Sequence, residues 1–321
     1  MFFRSLTNSV LAAGVSLLSL MCLSCAGGPP TETPAPEIPA PQTVKASDRI
    51  LKEMKAIEPF FEPMGEPGAM DWLATYPEGG QTFEQYINGN PVRATGERRT
   101  IYIQPLGKFT AEEYKVVELT SEFMTAFYNL PVKLLPKEDM DEPLSLEDYR
   151  IHKSWKVRQI RTGYILDEVL LPKLPADAAA LIAFTAEDLY PNEAMNFVFG
   201  QASLQNRVGV WSLYRLKEGN ARYETFLART LKIAMHETGH MFSIAHCTKY
   251  KCVMSGTNGN FETDVHPLDA CPEDAAKIAW AMEYPARERY RRLAEFCERN
   301  GLSQDARSFR EKLKAVDDLS I

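Results

Sequence analysis

The run His236-Glu237-Thr238-Gly239-His240-Met241-Phe242-Ser243-Ile244-Ala245-His246 decides how this chain is read. It closes a segment from Tyr223 to about Ser243 whose apolar spacing predicts one long helix. Residues four apart share a helix face, so His236 and His240 point the same way. Two neutral imidazoles so placed suit one Zn²⁺, at roughly 2.0–2.1 Å each. Glu237 follows the first of them directly and is within reach of a water on that metal. His246 can join only if the helix stops soon after His240 and the chain turns back. Three imidazoles and one water make the open four-coordinate shell of a catalytic zinc; a structural zinc closes its shell with protein ligands. The chain has five histidines, and this stretch holds three of them.

Beyond His246 stand Cys247-x₄-Cys252-x-Met254 and Cys271-Pro272. With His-Glu-x-x-His and the third histidine, they resemble the metzincin metallopeptidases and, within them, the archaemetzincins. Glu187-Asp188-Leu189-Tyr190, Asn196 to Gly200 and Ser212 to Leu216 agree with the same family, so the resemblance runs from about Ile101 to Asp274. It implies an α+β metzincin fold: a twisted mixed sheet packed on helices, an active-site helix and a small helical C-terminal subdomain. It implies a zinc peptidase with His236, His240 and His246 as ligands and Glu237 as general base. Met254 then belongs to the turn beneath the metal, and Asn196 to Ala202 is the sheet edge along which an extended peptide lies. Peptides or proteins are the implied substrates, with aminopeptidase-like action. Asp188 and Tyr190 are expected to fix a loop below the sheet. Arg215 awaits a carboxylate partner.

The chain departs from the family at two positions. Metzincins carry Gly three residues after the second histidine, because that turn commonly needs φ > 0; here it is Ser243. Archaemetzincins hold a structural zinc with Cys-x₄-Cys and Cys-x-x-Cys. Cys247, Cys252 and Cys271 match three of those ligands, and Asp274 occupies the fourth place. Two outcomes stay open: a second zinc held by three thiolates and a carboxylate, or two disulfides that also use Cys297. The departures also motivate an alternative function, a surface-anchored binding module that keeps zinc and is catalytically weak. His266, before Pro267, reads as a loop residue, and His152 as a surface or core polar group.

Strands are expected at Thr100–Pro105, Pro131–Leu135, Ala179–Thr185, Asn196–Gly200 and Arg207–Leu216. Helices are expected at Ser47–Ile57, after Thr110 as N-cap, at Thr162–Leu171 and in the tail from Ala275. Residues 286–316, broken at Asn300-Gly301, read as a helical hairpin. Residues 58–90, rich in Pro and Gly, read as irregular, and 137–150 as loop. The division is residues 1–24 as signal peptide, 25–47 as Pro-rich tether, 48–98 as an N-terminal extension, 99–254 as catalytic core, and 255–321 as a cysteine-containing loop with a helical subdomain. One idea for the extension is that it covers the cleft and keeps the enzyme latent.

Met1–Ser5 has one Arg and no acid, and Leu6–Leu23 is mostly apolar, as in an export signal. Cys25 resembles the lipid-modified cysteine of bacterial lipoproteins, which implies an exported, membrane-anchored protein. The net charge of −7 leaves no basic surplus for phosphates, so nucleic acid is not an expected partner; a membrane would be met only through the lipid anchor. Oligomeric state is not legible.

Overall fold

The structure, a computed structural model, describes residues 47–94, 96–140, 144–203 and 205–319. The expected signal, most of the expected tether and Cys25 lie outside them. In chain order the elements are α1 (Asp48–Ile57), α2 (Trp72–Thr75), α3 (Phe83–Asn88), β1 (Thr100–Pro105), α4 (Ala111–Tyr128), β2 (Val132–Leu134), β3 (Tyr149–Ile151) and β4 (Arg158–Arg161). After a π-helix at Tyr164–Leu170 come β5 (Ala178–Thr185), β6 (Asp188–Tyr190), β7 (Gly200–Ser203) and β8 (Val208–Ser212). The remainder is helical: α5 (Tyr223–Met241), α6 (Asn260–Val265), α7 (Pro272–Ala281), α8 (Ala286–Arg299) and α9 (Ser303–Asp317).

The main sheet has the order β2-β1-β5-β8-β7. The first four strands run parallel, and β7 closes the edge antiparallel to β8. β5 lies at the centre with every residue buried, as its unbroken apolar run requires of a strand covered on both faces. Its side chains alternate between two cores. Ala180, Ile182 and Phe184 meet α4 and α5. Leu181 and Ala183 meet Tyr164, Ile165 and Leu170. α4 starts as expected at Thr110, whose hydroxyl accepts from the Glu113 amide while the Glu113 carboxylate accepts from the Thr110 amide.

Four expectations are corrected. The 137–150 stretch is not all loop: β3 pairs antiparallel with β4, and β4 pairs parallel with β6, in a second, three-stranded sheet. These strands are three or four residues long, β3 and β4 half-buried and β6 buried, and are too short for a period-of-two signal. The edge strand begins at Gly200 rather than Asn196, and β8 ends at Ser212, where a 3₁₀ turn takes over. Asp188 and Tyr190, expected to fix a loop, lie on β6. The extension contains helix α3, opened by a capping box between Thr82 and Gln85.

The extension and the tail share the core of the main sheet's helical face. Ile50 and Ile57 of α1 are buried with residues of α7 and α9. α8 and α9 form the expected hairpin. It is anchored inward by Arg289 and Lys312, whose buried cationic groups lie 2.9 and 3.0 Å from the Asp269 carboxylate. No helix among the described residues is long and apolar enough to cross a membrane.

Candidate active site and the cysteine cluster

α5 carries His236 and His240 on one face and ends just after them. The Ser243 amide donates to the His240 carbonyl at 2.9 Å, and the Ile244 amide donates to the Gly239 carbonyl at 3.1 Å. Ser243 has φ +64°. That pattern is a Schellman C-cap, and it reverses the chain. Ser243 therefore takes the left-handed conformation the family gives to Gly. Its hydroxyl accepts from the Val92 amide at 3.0 Å and its carbonyl from the Gln81 side chain at 3.2 Å.

The reversal delivers His246 to the other two imidazoles. Ring centroids lie 4.6 Å apart for His236–His240, 5.1 Å for His236–His246 and 4.8 Å for His240–His246. One ligand atom from each of the three falls within 4.8 Å of the others, so they form a group able to hold a metal ion. Each ring is pinned through Nδ1. His236 Nδ1 is 2.9 Å from the Val253 carbonyl, His240 Nδ1 is 2.7 Å from the Ile244 carbonyl, and His246 Nδ1 is 2.7 Å from a Glu78 oxygen. An Nδ1–H donated to each acceptor leaves the Nε2 lone pairs free for a cation. The Nε2 atoms of His236 and His240 stand 3.0 Å apart. Two tetrahedral zinc–nitrogen bonds would set about 3.3 Å, so the trio fits zinc with a small adjustment. Burial, then the neighbouring imidazoles, pushes His236 well below the ordinary histidine range; burial and His246 push His240 to about 4. Neutral rings bind a metal without first losing a proton.

Glu237 lines the same cleft, and burial raises its carboxyl to about 7. A base works best near the operating pH, so that value suits proton transfer at neutrality. Beneath the helix, a Cβ on Gly239 would stand 2.5 Å from the Met254 sulfur, so a glycine here lets the Met254 turn pack directly under the ligand-bearing turn. Met254 is buried and its carbonyl accepts from the Cys247 amide.

The cleft holds about 540 Å³ and runs between the edge strand β7 and the Trp72–Tyr76 segment. Its wall at Met195–Phe199 hangs on buried polar groups. Asp188 takes a two-pronged ion pair from Arg215 at 2.9 and 2.8 Å. Gln159 donates both to Asp188 and to the Asn196 carbonyl, each at 2.8 Å. Arg150 lies over the Tyr190 ring and donates to the Met195 and Asn196 carbonyls. Arg215 finds its carboxylate in Asp188, and its guanidinium covers the Phe197 ring at 3.9 Å.

Cys247, Cys252, Cys271 and Asp274 form a second group whose ligand atoms lie within 4.8 Å of one another, all four buried. The Cys247 and Cys271 sulfurs are 3.6 Å apart, and the Asp274 Oδ2 atom is 3.4 and 3.3 Å from the Cys252 and Cys271 sulfurs. Tetrahedral zinc with three sulfurs and one oxygen would set about 3.8 and 3.6 Å, so these residues fit it too. Cys247, Cys252, Cys271 and Cys297 are free cysteines, and Cys297 lies on α8 outside the group. Asp274 Oδ1 meets the buried Lys277 ammonium at 2.7 Å, which leaves Oδ2 facing the sulfurs. Burial raises Asp274 to about 6 against the pull of Lys277. Hydrogen bonds from Cys252 and Cys271 hold Cys247 down, while burial pushes those two up.

His266 is buried at the cleft floor, outside the histidine trio, with its pKa pushed to about 4 by burial and then by Lys232 and Lys251. His152 stacks on Trp155 at 3.8 Å and takes no part in the cleft. Two contributors escaped the sequence reading. Lys277 carries a weak signal, three residues after Asp274 on one helix. Glu78 carries none, because 168 residues separate it from His246.

A helix-borne His-Glu-x-x-His, a third imidazole returned by a left-handed turn and a sheet edge beside them define a metallopeptidase of the metzincin class. The comparisons name the family. The model for Peptidase family M54 matches residues 156–279. Archaemetzincin-2 of Homo sapiens is 33% identical over 287 residues, spanning 77% of this chain and 78% of that protein. Archaemetzincin of Thermococcus kodakarensis is 32% identical over 190 residues, 58% of this chain and 98% of that one. The crystal structure of archaemetzincin from Archaeoglobus fulgidus aligns with TM-score 0.44 and 30% identity, over 56% of this chain and 99% of that one. The chain belongs to the archaemetzincin family.

Proposed function

We propose that this archaemetzincin hydrolyses peptide bonds with zinc held by His236, His240 and His246. The convergence of three imidazoles, each fixed through Nδ1, carries this reading. When bound, zinc polarises a scissile carbonyl and acidifies a water. The protein's own part follows from its geometry. β7 offers its open edge to an extended peptide, as in strand addition. Glu237 accepts the proton of the attacking water and returns it to the departing amine. Met254 supports the turn of α5 that carries the ligands. Cys247, Cys252, Cys271 and Asp274 hold a second, structural zinc.

Among the described residues lining the cleft, Glu237 is the one carboxylate. A substrate's free α-amino group therefore has no spare counter-charge there. This favours cleavage within an extended chain over the aminopeptidase-like action implied by resemblance. The two departures behind the binding-module alternative are both accommodated: Ser243 makes the turn, and Asp274 reaches the sulfurs. We further propose export and anchoring through a lipid-modified Cys25, on the signal-like run of residues 1–24 and the Pro-rich tether of 25–47.

A matched pair of peptide libraries, with free and acetylated amino termini, tests the reading beside Glu237→Gln. The expected result is equal cleavage of both libraries, a loss of roughly 10²–10⁴-fold in kcat for Glu237→Gln, and two zinc ions per chain in both proteins. Unchanged hydrolysis by Glu237→Gln would remove the proposed base. One zinc per chain would remove the Cys₃Asp site.

A further inference from the structure

We infer that Glu78, from the N-terminal extension, is a positioning residue for the third zinc ligand. The inference rests on the metal-site reading above and deepens it. His236 and His240 are oriented by backbone carbonyls of their own neighbourhood. His246 is oriented instead by a carboxylate brought from far away in sequence. Its Nδ1 lies 2.7 and 3.0 Å from the two Glu78 oxygens.

A carboxylate only accepts, so this contact places the His246 proton on Nδ1 and leaves the Nε2 lone pair toward the metal. The negative charge also makes the ring a stronger donor to a cation. Of the three ligands, His246 has the most need of such support. His236 and His240 ride on a helix, whereas His246 sits in a loop beyond a strained turn.

Glu78 is itself held. The Trp72 indole N–H donates to its Oε1 at 2.8 Å, and the Trp72 ring meets His246 edge-on at 5.3 Å. Trp72 is tied at its amide to the buried Glu262 at 3.0 Å. On the other side, Gly80 has φ +67°, and a Cβ there would stand 2.3 Å from the Thr248 hydroxyl, so the chain presses against the loop after His246. Gln81 then spans that loop, donating to the Ser243 carbonyl and accepting from the Ala245 amide, each at 3.2 Å. Residues 72–81 are thus a strap across the third ligand, with Glu78 as its one contact to the imidazole nitrogen.

The test compares full-length wild type, Glu78→Gln and Glu78→Ala. Zinc affinity is read by competition with a chelator, and cobalt substitution gives an absorption spectrum. Glu78→Ala should weaken the histidine-site zinc by roughly 10–100-fold. Glu78→Gln, whose amide oxygen still accepts but adds no charge, should fall between. The cobalt bands of the histidine site should shift in both variants, while the thiolate bands of the cysteine cluster stay in place and report an intact fold. If Glu78→Ala does not fold, Glu78→Gln alone decides. Affinities within threefold of wild type, with unshifted bands, overturn the inference. Wild type holding no zinc at the histidine trio is a different result; it overturns the peptidase reading and this inference with it.

Discussion

Ser243 balances two opposed effects. A side chain at φ +64° costs roughly 1–2 kcal/mol relative to glycine. Its hydroxyl, accepting from the Val92 amide, returns about 1 kcal/mol. Ser243→Ala keeps the strain and loses the bond, so it should destabilise the protein by roughly 1 kcal/mol. Ser243→Gly loses the bond and releases the strain, so it should stay within about 1 kcal/mol of wild type. Urea unfolding of the metal-free proteins measures both. The spacing of His240 and His246 required only that the helix stop and the chain turn back; the left-handed conformation at position 243 was implied by the family resemblance. That Ser243 meets it depends on Val92 and Gln81, more than 150 residues upstream.

Among the elements, the short β6 strand has the most leverage on the cleft. Asp188 is fully buried under Arg215, and the pair supports Gln159, Phe197 and through them the Met195–Phe199 wall. Removing one partner leaves the other's charge buried without compensation, which costs about 3–5 kcal/mol. Asp188→Asn should lower the denaturation midpoint accordingly and raise KM more than it lowers kcat, since the wall guides substrate and Glu237 is untouched. An unchanged KM would detach the wall from binding. The long, strongly patterned elements (α4, β5, α5 and the α8–α9 hairpin) were legible because burial on one face or two writes itself into periodicity. β3, β4 and β6 were not, because three or four residues carry too little pattern, and β4 pairs with β6 across the intervening π-helix and β5.

At the scale of the molecule, the extension packs into the core behind the histidine trio and touches His246. Phe61, Tyr86 and Ile87 are buried in the common core, and the Tyr86 hydroxyl donates to the Phe242 carbonyl at 3.0 Å, at the turn behind the ligands. Deleting residues up to 98 should expose that core, free His246 from Glu78 and reduce both zinc content and peptidase activity. Activity that rises on truncation would restore the idea of a latent enzyme. Metal analysis and turnover on the same preparation distinguish the outcomes.

The grouping of the three histidines with Glu237 beside the first, and the family, were readable from the chain; the grouping of Cys247, Cys252, Cys271 and Asp274 was implied by the resemblance. Helical period and ligand spacing are local properties, and metal chemistry restricts which side chains can stand at them. Tertiary structure alone determined what holds those groups in place: Glu78 on His246, Lys277 on Asp274, Val92 and Gln81 on Ser243. Such partners need only meet in space, and the chain between them can be of any length, so no spacing in the sequence records the contact.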